Sequence, residues 1–327
     1  MNNFWIKLKK PIYALAPLAG YTDSAFRQIC KSFGADVVYS EMASATALVY
    51  NPKKTLEMLR FSEEERPYVV QLFGDRPEHF ARASKLLNRG IRCAIRDARY
   101  AMRAPDGIDI NFGCPVRKVA KQGAGAVLMD KPELAREIVK AVLDNTDLPV
   151  SVKIRSQVGG TDALKFLDYL HGLNLAAVMI HGRTVKQGFT GKVDAAIIKK
   201  ARSYFNGIIL ANGGVIDYES ATSLLSASNA DGLGIARGAL GRPWIFKAVR
   251  TGQGVIREPQ AAFKVAVKQA QLVNKLKGEA GIIEMRKHLC AYTAGLPGAK
   301  LLREKLVTAE DINEVKSILN VNAAYRE

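Results

Sequence analysis

Short apolar runs recur along most of the chain, with amphipathic stretches between them. Val150-Ser151-Val152-Lys153-Ile154, Ala176-Ala177-Val178-Met179-Ile180 and Gly207-Ile208-Ile209-Leu210 are rich in aliphatic and β-branched residues. Runs of this kind read as strands buried on both faces, as in a parallel sheet. The pattern predicts strands ending near Ala16, Glu41, Leu72, Asn111, Lys153, His181, Ala211 and Ile235. It predicts helices over residues 24–33, 133–143, 163–170, 195–204 and 218–225, where apolar positions recur at helical spacing. Eight βα units in about 250 residues is the arithmetic of a TIM (β/α)8 barrel. A doubly wound sheet is the competitor, but it favours a GxGxxG turn after the first strand. Here that turn reads Ala16-Pro17-Leu18-Ala19-Gly20.

After Arg250 the rhythm stops. Thr251-Gly252-Gln253-Gly254 and Pro259 read as a linker. A helix is predicted over 262–277, with Phe263, Ala266, Val267, Ala270, Val273 and Leu276 on one face. Thr308 is read as the cap of a last helix, with Asp311 in the capping-box position and Ile312, Val315, Ile318 and Leu319 on its apolar side. The expectation is a barrel over residues 1–250 and a small helical bundle over 259–327. One connection is overlong: some 30 residues separate Pro77 from Gly107. Within this insertion, near residues 88–104, Arg89, Arg92, Arg96, Arg99 and Arg103 recur at spacings of three and four. On a helix they form one stripe, either a solvated face or a contact for an RNA backbone.

Composition narrows the class. No apolar run approaches the roughly 20 residues that span a bilayer, so no membrane partner is expected. Met1 to Lys10 lacks the apolar segment of a signal peptide; the expected compartment is the cytoplasm. The four cysteines are scattered without CxxC pairs, and the four histidines show no ligand spacing. Neither a disulfide framework nor a metal is expected. Lys plus Arg number 48 against 31 Asp plus Glu, a net charge of +17 that points to a polyanionic partner.

The chemistry gathers at the strand ends, where barrel enzymes carry their reactive groups. Glu41, Gln71, Asn111, Lys153, His181, Arg183 and Asn212 all fall there. In Gly107-Ile108-Asp109-Ile110-Asn111-Phe112-Gly113-Cys114-Pro115 a strand runs out at Asn111 and presents one thiol, Cys114, before a proline that cannot continue the ladder. A buried, inert cysteine is the bland alternative. After the seventh and eighth strands come Asn212-Gly213-Gly214 and Ala236-Arg237-Gly238. Barrels commonly bind phosphate at these two loops, and the pair suggests a phosphorylated cofactor, with Arg237 as a bidentate fork.

Taken together, these segments resemble the tRNA-dihydrouridine synthase family. The resemblance is carried by Ala16-Pro17-Leu18-Ala19-Gly20-Tyr21-Thr22-Asp23, Gln71-Leu72-Phe73-Gly74, and Asp109 through Val119 running on into Gly123-Ala124-Gly125-Ala126. His181-Gly182-Arg183-Thr184, Gly241-Arg242-Pro243-Trp244-Ile245-Phe246 and Arg286-Lys287-His288 extend it over nearly the whole chain, the arginine insertion excepted. It implies an FMN-bound barrel that reduces selected uridines of tRNA to dihydrouridine with electrons from NADPH or NADH. By the same resemblance Pro17, Leu18 and Ala19 line the flavin, Gln71 and Lys153 bond its ring, and His181 contacts it. Asn212, Gly213, Gly214, Ala236 and Arg237 hold its phosphate side; similar proteins often carry an acid where Gly214 stands and Gly where Ala236 stands. Cys114 is the implied acid, and Asn111 and Arg183 help place the uracil.

The residue types suit that chemistry. Reducing the C5=C6 bond of uracil takes hydride at C6 from N5 of a reduced flavin, and leaves charge at C5 and O4 that an acid must quench at C5. Free cysteine thiols titrate near about 8.5 and so carry a proton to give at neutral pH. A lysine beside an anionic reduced flavin is stabilising. Two other readings are weighed: a flavin barrel for free pyrimidines such as dihydroorotate or dihydropyrimidine, and an RNA-binding relative without catalysis. The net charge and helical C-terminus count against the first, and the presence of Cys114, Lys153 and His181 against the second.

Overall fold

The computed structural model describes residues 3–90, 103–253 and 258–321. Eight strands form the barrel: β1 (Ile12–Leu15), β2 (Val37–Tyr39), β3 (Tyr68–Phe73), β4 (Gly107–Phe112), β5 (Val150–Arg155), β6 (Ala177–His181), β7 (Ile208–Asn212) and β8 (Gly232–Ile235). Each is parallel to its neighbour, β2 lies between β1 and β3, and β1 pairs with β8 to close the ring. This is the (β/α)8 barrel that the sequence predicts. Unpredicted are a two-residue strand, Ala43–Ser44, at the end of β3 and a small antiparallel hairpin pairing Gln157–Val158 with Thr161–Asp162. Both are too short to show a period in sequence.

Strand residues alternate between two cores, as the period of two requires. Along β1, Ile12 and Ala14 face inward to meet Val37, Tyr39, Val69, Met179 and Leu210, with Trp5 closing the lower end. Tyr13 and Leu15 face outward to the surrounding helices.

Beyond the barrel run helices Pro259–Tyr292, Ala299–Leu306 and Ile312–Val321. Their core joins Phe263, Ala266, Ala270, Val273, Ile282, Met285, Leu289, Leu302, Leu306, Val315 and Leu319 to Ala25 and Trp244 of the barrel. Leu276, expected on the apolar face, is 47% exposed. The helical phase breaks just after it at Gly278, whose φ of 64° is open to glycine and costly for other residues. The cap of the last helix is also not Thr308. Asp311 Oδ1 accepts from the N–H groups of Asn313 and Glu314 at 2.7 and 2.9 Å. Thr308 follows the preceding helix and donates its hydroxyl back to the Lys305 carbonyl at 2.8 Å.

The bundle is tied to the barrel through residues 21–26. Asp23 caps helix Ser24–Ser32 and lies 3.3 Å from Lys277 Nζ. The buried His288 ring packs on Tyr21 and Phe26 at 5.2 and 4.8 Å between centroids. Burial pulls His288 down to about 4, so it packs as a neutral ring. Of the arginine stripe, Arg92, Arg96 and Arg99 lie outside the described residues. Arg89 ends helix Pro77–Arg89, and Arg103 pairs with Glu63 at 2.8 Å. Among the described residues no helix is long and apolar enough to cross a membrane.

Candidate active site

A cavity of about 670 Å3 opens at the C-terminal ends of the strands, within the range of cofactor and ligand clefts. Cys114, Asn111, Gln71, Lys153, His181 and Arg183 line it, as do Pro17, Leu18 and Ala19 and, on the far side, Asn212, Gly213, Gly214, Ala236 and Arg237. All the residues named from the sequence as acid, base-placing or cofactor-holding are thus brought to one cavity. Glu41 is the strand-end residue that is not. β2 ends at Tyr39, two positions earlier, and Glu41 accepts from the Gly20 N–H with Lys277 and Lys287 of the bundle nearby.

The Cys114 turn is fastened from several sides. Asn111 Oδ1 accepts from the N–H groups of Gly113 and Cys114 at 3.1 and 2.9 Å, the local bond that makes asparagine a turn former. The Cys114 carbonyl accepts from Ala126 N at 3.0 Å, and the Gly113 carbonyl from Arg155 Nε at 3.0 Å. Arg155 also reaches the carbonyls of Thr184 and Gly188, joining this turn to the loop after β6. With its backbone held in this way, Cys114 lines the cavity beside Gly113 and Pro115. Asn111, expected to place the substrate base, bonds Gln71 Oε1 through Nδ2 at 2.9 Å, so most of its amide is engaged within the protein.

Cations dominate the cavity wall. Lys153, Arg155, Arg183 and Arg237 line it, and no carboxylate does so among the described residues. Lys153 reaches solvent only through the cavity. Burial above all, and then Arg155, lowers it to about 8, while Asp109 and Cys114 pull the other way. His181 is pushed down to about 2 by burial, and further by the four cations around it. It is therefore neutral, and its Nε2, 3.5 Å from an Arg183 guanidinium that can only donate, is the bare nitrogen. Arg183 is oriented by the Gly191 carbonyl at 2.9 Å.

The opposite side is made of backbone. Asn212 Nδ2 donates to the Gly234 carbonyl at 2.6 Å, and the chain then turns through Gly213 and Gly214 at φ of 117° and 75°. A Cβ on Gly213 would stand 2.9 Å from the His181 ring. The N–H groups of Gly213, Gly214, Arg237 and Gly238 find no acceptor among the described residues, whereas Ala239 N–H bonds the Ala236 carbonyl at 3.0 Å. Arg237 is exposed, its guanidinium 4.1 Å above the Phe189 ring. Unpaired N–H groups beside cations form a site for an anion. Among the described residues no three His, Cys, Asp or Glu side chains gather as metal ligands.

Three residues here were not singled out from sequence: Arg155, Phe189 and Asp109. Arg155 follows Lys153 by two and so shares its face of β5, a signal that was available. Phe189 sits on a loop without periodicity. Asp109 is an acid in an otherwise apolar strand, two before Asn111, and is fully buried. Burial raises it to about 6 against the opposing bonds from Gln71 and Ser151.

The chain is similar to known proteins over nearly its whole length. The family description "Dihydrouridine synthase (Dus)" matches residues 14–327. A probable tRNA-dihydrouridine synthase of Aquifex aeolicus is 30% identical over 314 residues, covering 95% of each chain. A tRNA-dihydrouridine synthase B of Pasteurella multocida is 31% identical over 94% of this chain and 91% of its own. Among solved structures, a morphinone reductase superposes with a TM-score of 0.50 at 14% identity over 79% of this chain and 92% of that one. A 2-naphthoyl-CoA reductase gives 0.53 at 10% identity, over 74% and 50%. The structural likenesses speak to the fold alone; with the family match across nearly its whole length, the chain belongs to the dihydrouridine synthase family.

Proposed function

We propose that this chain is an FMN-dependent tRNA-dihydrouridine synthase, reducing the C5=C6 bond of selected uridines in tRNA at the expense of NADPH or NADH. The observation that carries the reading is a thiol fixed by its own backbone at the rim of a cation-lined cavity without carboxylates. The donor set fits FMN. Gly213, Gly214 and the first turn after Ala236 offer N–H groups to a phosphate, with Arg237 alongside. Pro17, Leu18 and Ala19 offer an apolar edge to a flat ring, and Gln71, Lys153 and neutral His181 offer polar groups to its heteroatoms.

Bound and reduced, FMN supplies the hydride that adds to C6. The chain does the rest. Cys114 would give its proton to C5, Arg183 would meet the charge that builds at O4, and Lys153 would hold the ring of the reduced cofactor before transfer. His181, held neutral by burial and the cations around it, is read as a positioning group. Arg155 keeps the Cys114 turn and the loop after β6 in one geometry. The base must leave its stack to enter the cavity, which costs a few kcal/mol in duplex and less in a loop. The net charge of +17 supplies affinity for the tRNA backbone. Exposed Arg117 and Lys118 stand directly after the Cys114 turn. In this reading residues 1–250 are the catalytic domain, 259–327 help to hold the tRNA, and the cytoplasm is the compartment.

The test is direct. The purified protein should be yellow with bound FMN, oxidise NADPH in the presence of unmodified tRNA, and leave dihydrouridine at defined positions. Equal turnover of free uracil or orotate would move the reading to a pyrimidine reductase. A colourless protein that takes up no added FMN would end it.

A further inference from the structure

Asp109 is wholly buried in the middle of β4 and is not itself part of the cavity wall. Both its oxygens are engaged. Oδ2 accepts from Gln71 Nε2 at 2.7 Å, and Oδ1 accepts from Ser151 Oγ at 2.6 Å. The three residues are directly opposite one another across β3, β4 and β5. From Gln71 the bonding continues upward. Gln71 Oε1 accepts from Asn111 Nδ2 at 2.9 Å, and Asn111 Oδ1 accepts from Gly113 and Cys114 N–H.

This series has a polarity, and both ends dictate it. A carboxylate can only accept, so Gln71 must turn its nitrogen down and its oxygen up. An upward oxygen requires a donor from Asn111, which leaves Asn111 Oδ1 for the two N–H groups of the turn. Those N–H groups can only donate, so they demand the same orientation. Reversing either amide would set oxygen against oxygen or N–H against N–H, in a place too buried for water to relieve it.

We infer that Asp109 is a positioning residue whose acceptor capacity, relayed through the amides of Gln71 and Asn111, fixes the direction of the Cys114 thiol and the face that Gln71 shows the cavity. The inference rests on the functional reading only in making the thiol an acid; the relay itself is a property of the apoprotein. It makes a distinction that a merely structural carboxylate would not. Asp109 also lies near Lys153, so its charge is a rival explanation. Asp109→Asn removes the charge yet keeps an oxygen for Gln71, turning its own NH2 to Ser151, whose hydroxyl can accept as well as donate. Asp109→Leu removes both.

The experiment compares these two variants with the full-length wild type by three readings. One is the rate at which iodoacetamide alkylates Cys114, followed on its peptide by mass spectrometry without tRNA. The others are kcat with KM for tRNA, and FMN content. Asp109→Leu should alkylate about tenfold differently from wild type, the equivalent of one lost buried hydrogen bond. It should lose about 100-fold in kcat, the cost of a misplaced reacting group, with KM for tRNA unchanged. Asp109→Asn should stay within about threefold of wild type on every reading, since the acceptor survives. An Asp109→Asn variant as impaired as Asp109→Leu would overturn the relay in favour of charge, and this arm decides even where Asp109→Leu does not fold. Wild-type alkylation and kcat in Asp109→Leu would overturn it too. Failure of the wild type to hold FMN or reduce tRNA would instead sink the functional reading and leave the alkylation comparison standing.

Discussion

The two flanks of the cavity are built on opposite plans. On the flank of β3, β4 and β5, the side chains of Gln71, Asp109, Asn111 and Ser151 bond one another and the Cys114 turn. On the flank of β7 and β8, Gly213, Gly214 and the turn at Arg237 present N–H groups without acceptors, and Arg237 makes no ion pair among the described residues. A polar network closed on itself holds an atom still. One left open takes up a ligand. The first flank is a mount for a reactive group, and the second a receptor for a phosphate.

Substitutions should separate the two. The largest effect belongs to Cys114→Ala: turnover should fall about 1,000-fold, within the range for a lost general acid. FMN content and tRNA binding should be unchanged; activity within tenfold of wild type would assign the proton to another group. Gly213→Ala acts on the other flank. It forces a Cβ to 2.9 Å from the His181 ring at a φ of 117°, a strain of about 1–3 kcal/mol. The FMN-to-protein ratio after gel filtration should drop sharply, while alkylation of Cys114 in the apoprotein keeps its wild-type rate. Arg237→Ala should be milder, weakening FMN about tenfold by titration for one charge-assisted contact. An unchanged Kd would remove Arg237 from the phosphate.

The smallest effect is on the pH profile of kcat. Asp109 is raised to about 6, but when protonated it still keeps one oxygen for Gln71 and can turn its O–H to Ser151, as Asn would, so the relay survives that titration. Lys153 is lowered to about 8, so its charge is present below that value and lost as the pH rises through it. Neighbouring Tyr39 is held well above 10 by burial and stays neutral, and Arg155 keeps its charge. Activity should therefore fall as the pH rises through about 8, with no acid limb owed to Asp109. An acid limb near 6 in the wild type that disappears in Asp109→Asn would show that the charge of Asp109 matters and count against the relay.

The barrel was legible because parallel strands buried on both faces are mostly apolar, and Ala177–His181 and Ile208–Asn212 announce themselves as such. The cavity was legible because polar residues at the ends of such strands have little reason to be there except chemistry. What stayed hidden depends on partners distant in sequence. Asp109 reads as one polar letter in an apolar run until Gln71 and Ser151 are seen on either side of it. Glu41 reads as a rim residue until β2 proves to end at Tyr39, and Thr308 reads as a cap until its hydroxyl is seen bonding backwards. A kink at Gly278 leaves no periodic trace either, since nothing in the spacing of Phe263 to Leu276 foretells where the phase breaks.

Tyr21 has a consequence of its own. Tyr21 borders the cavity, and its ring also meets His288, with the Lys287 ammonium 5.1 Å from its centre. The long C-terminal helix therefore backs a wall of the reaction chamber and is not a detachable handle. Whatever load a docked nucleic acid places on that helix arrives, one aromatic ring later, beside the edge formed by Pro17, Leu18 and Ala19.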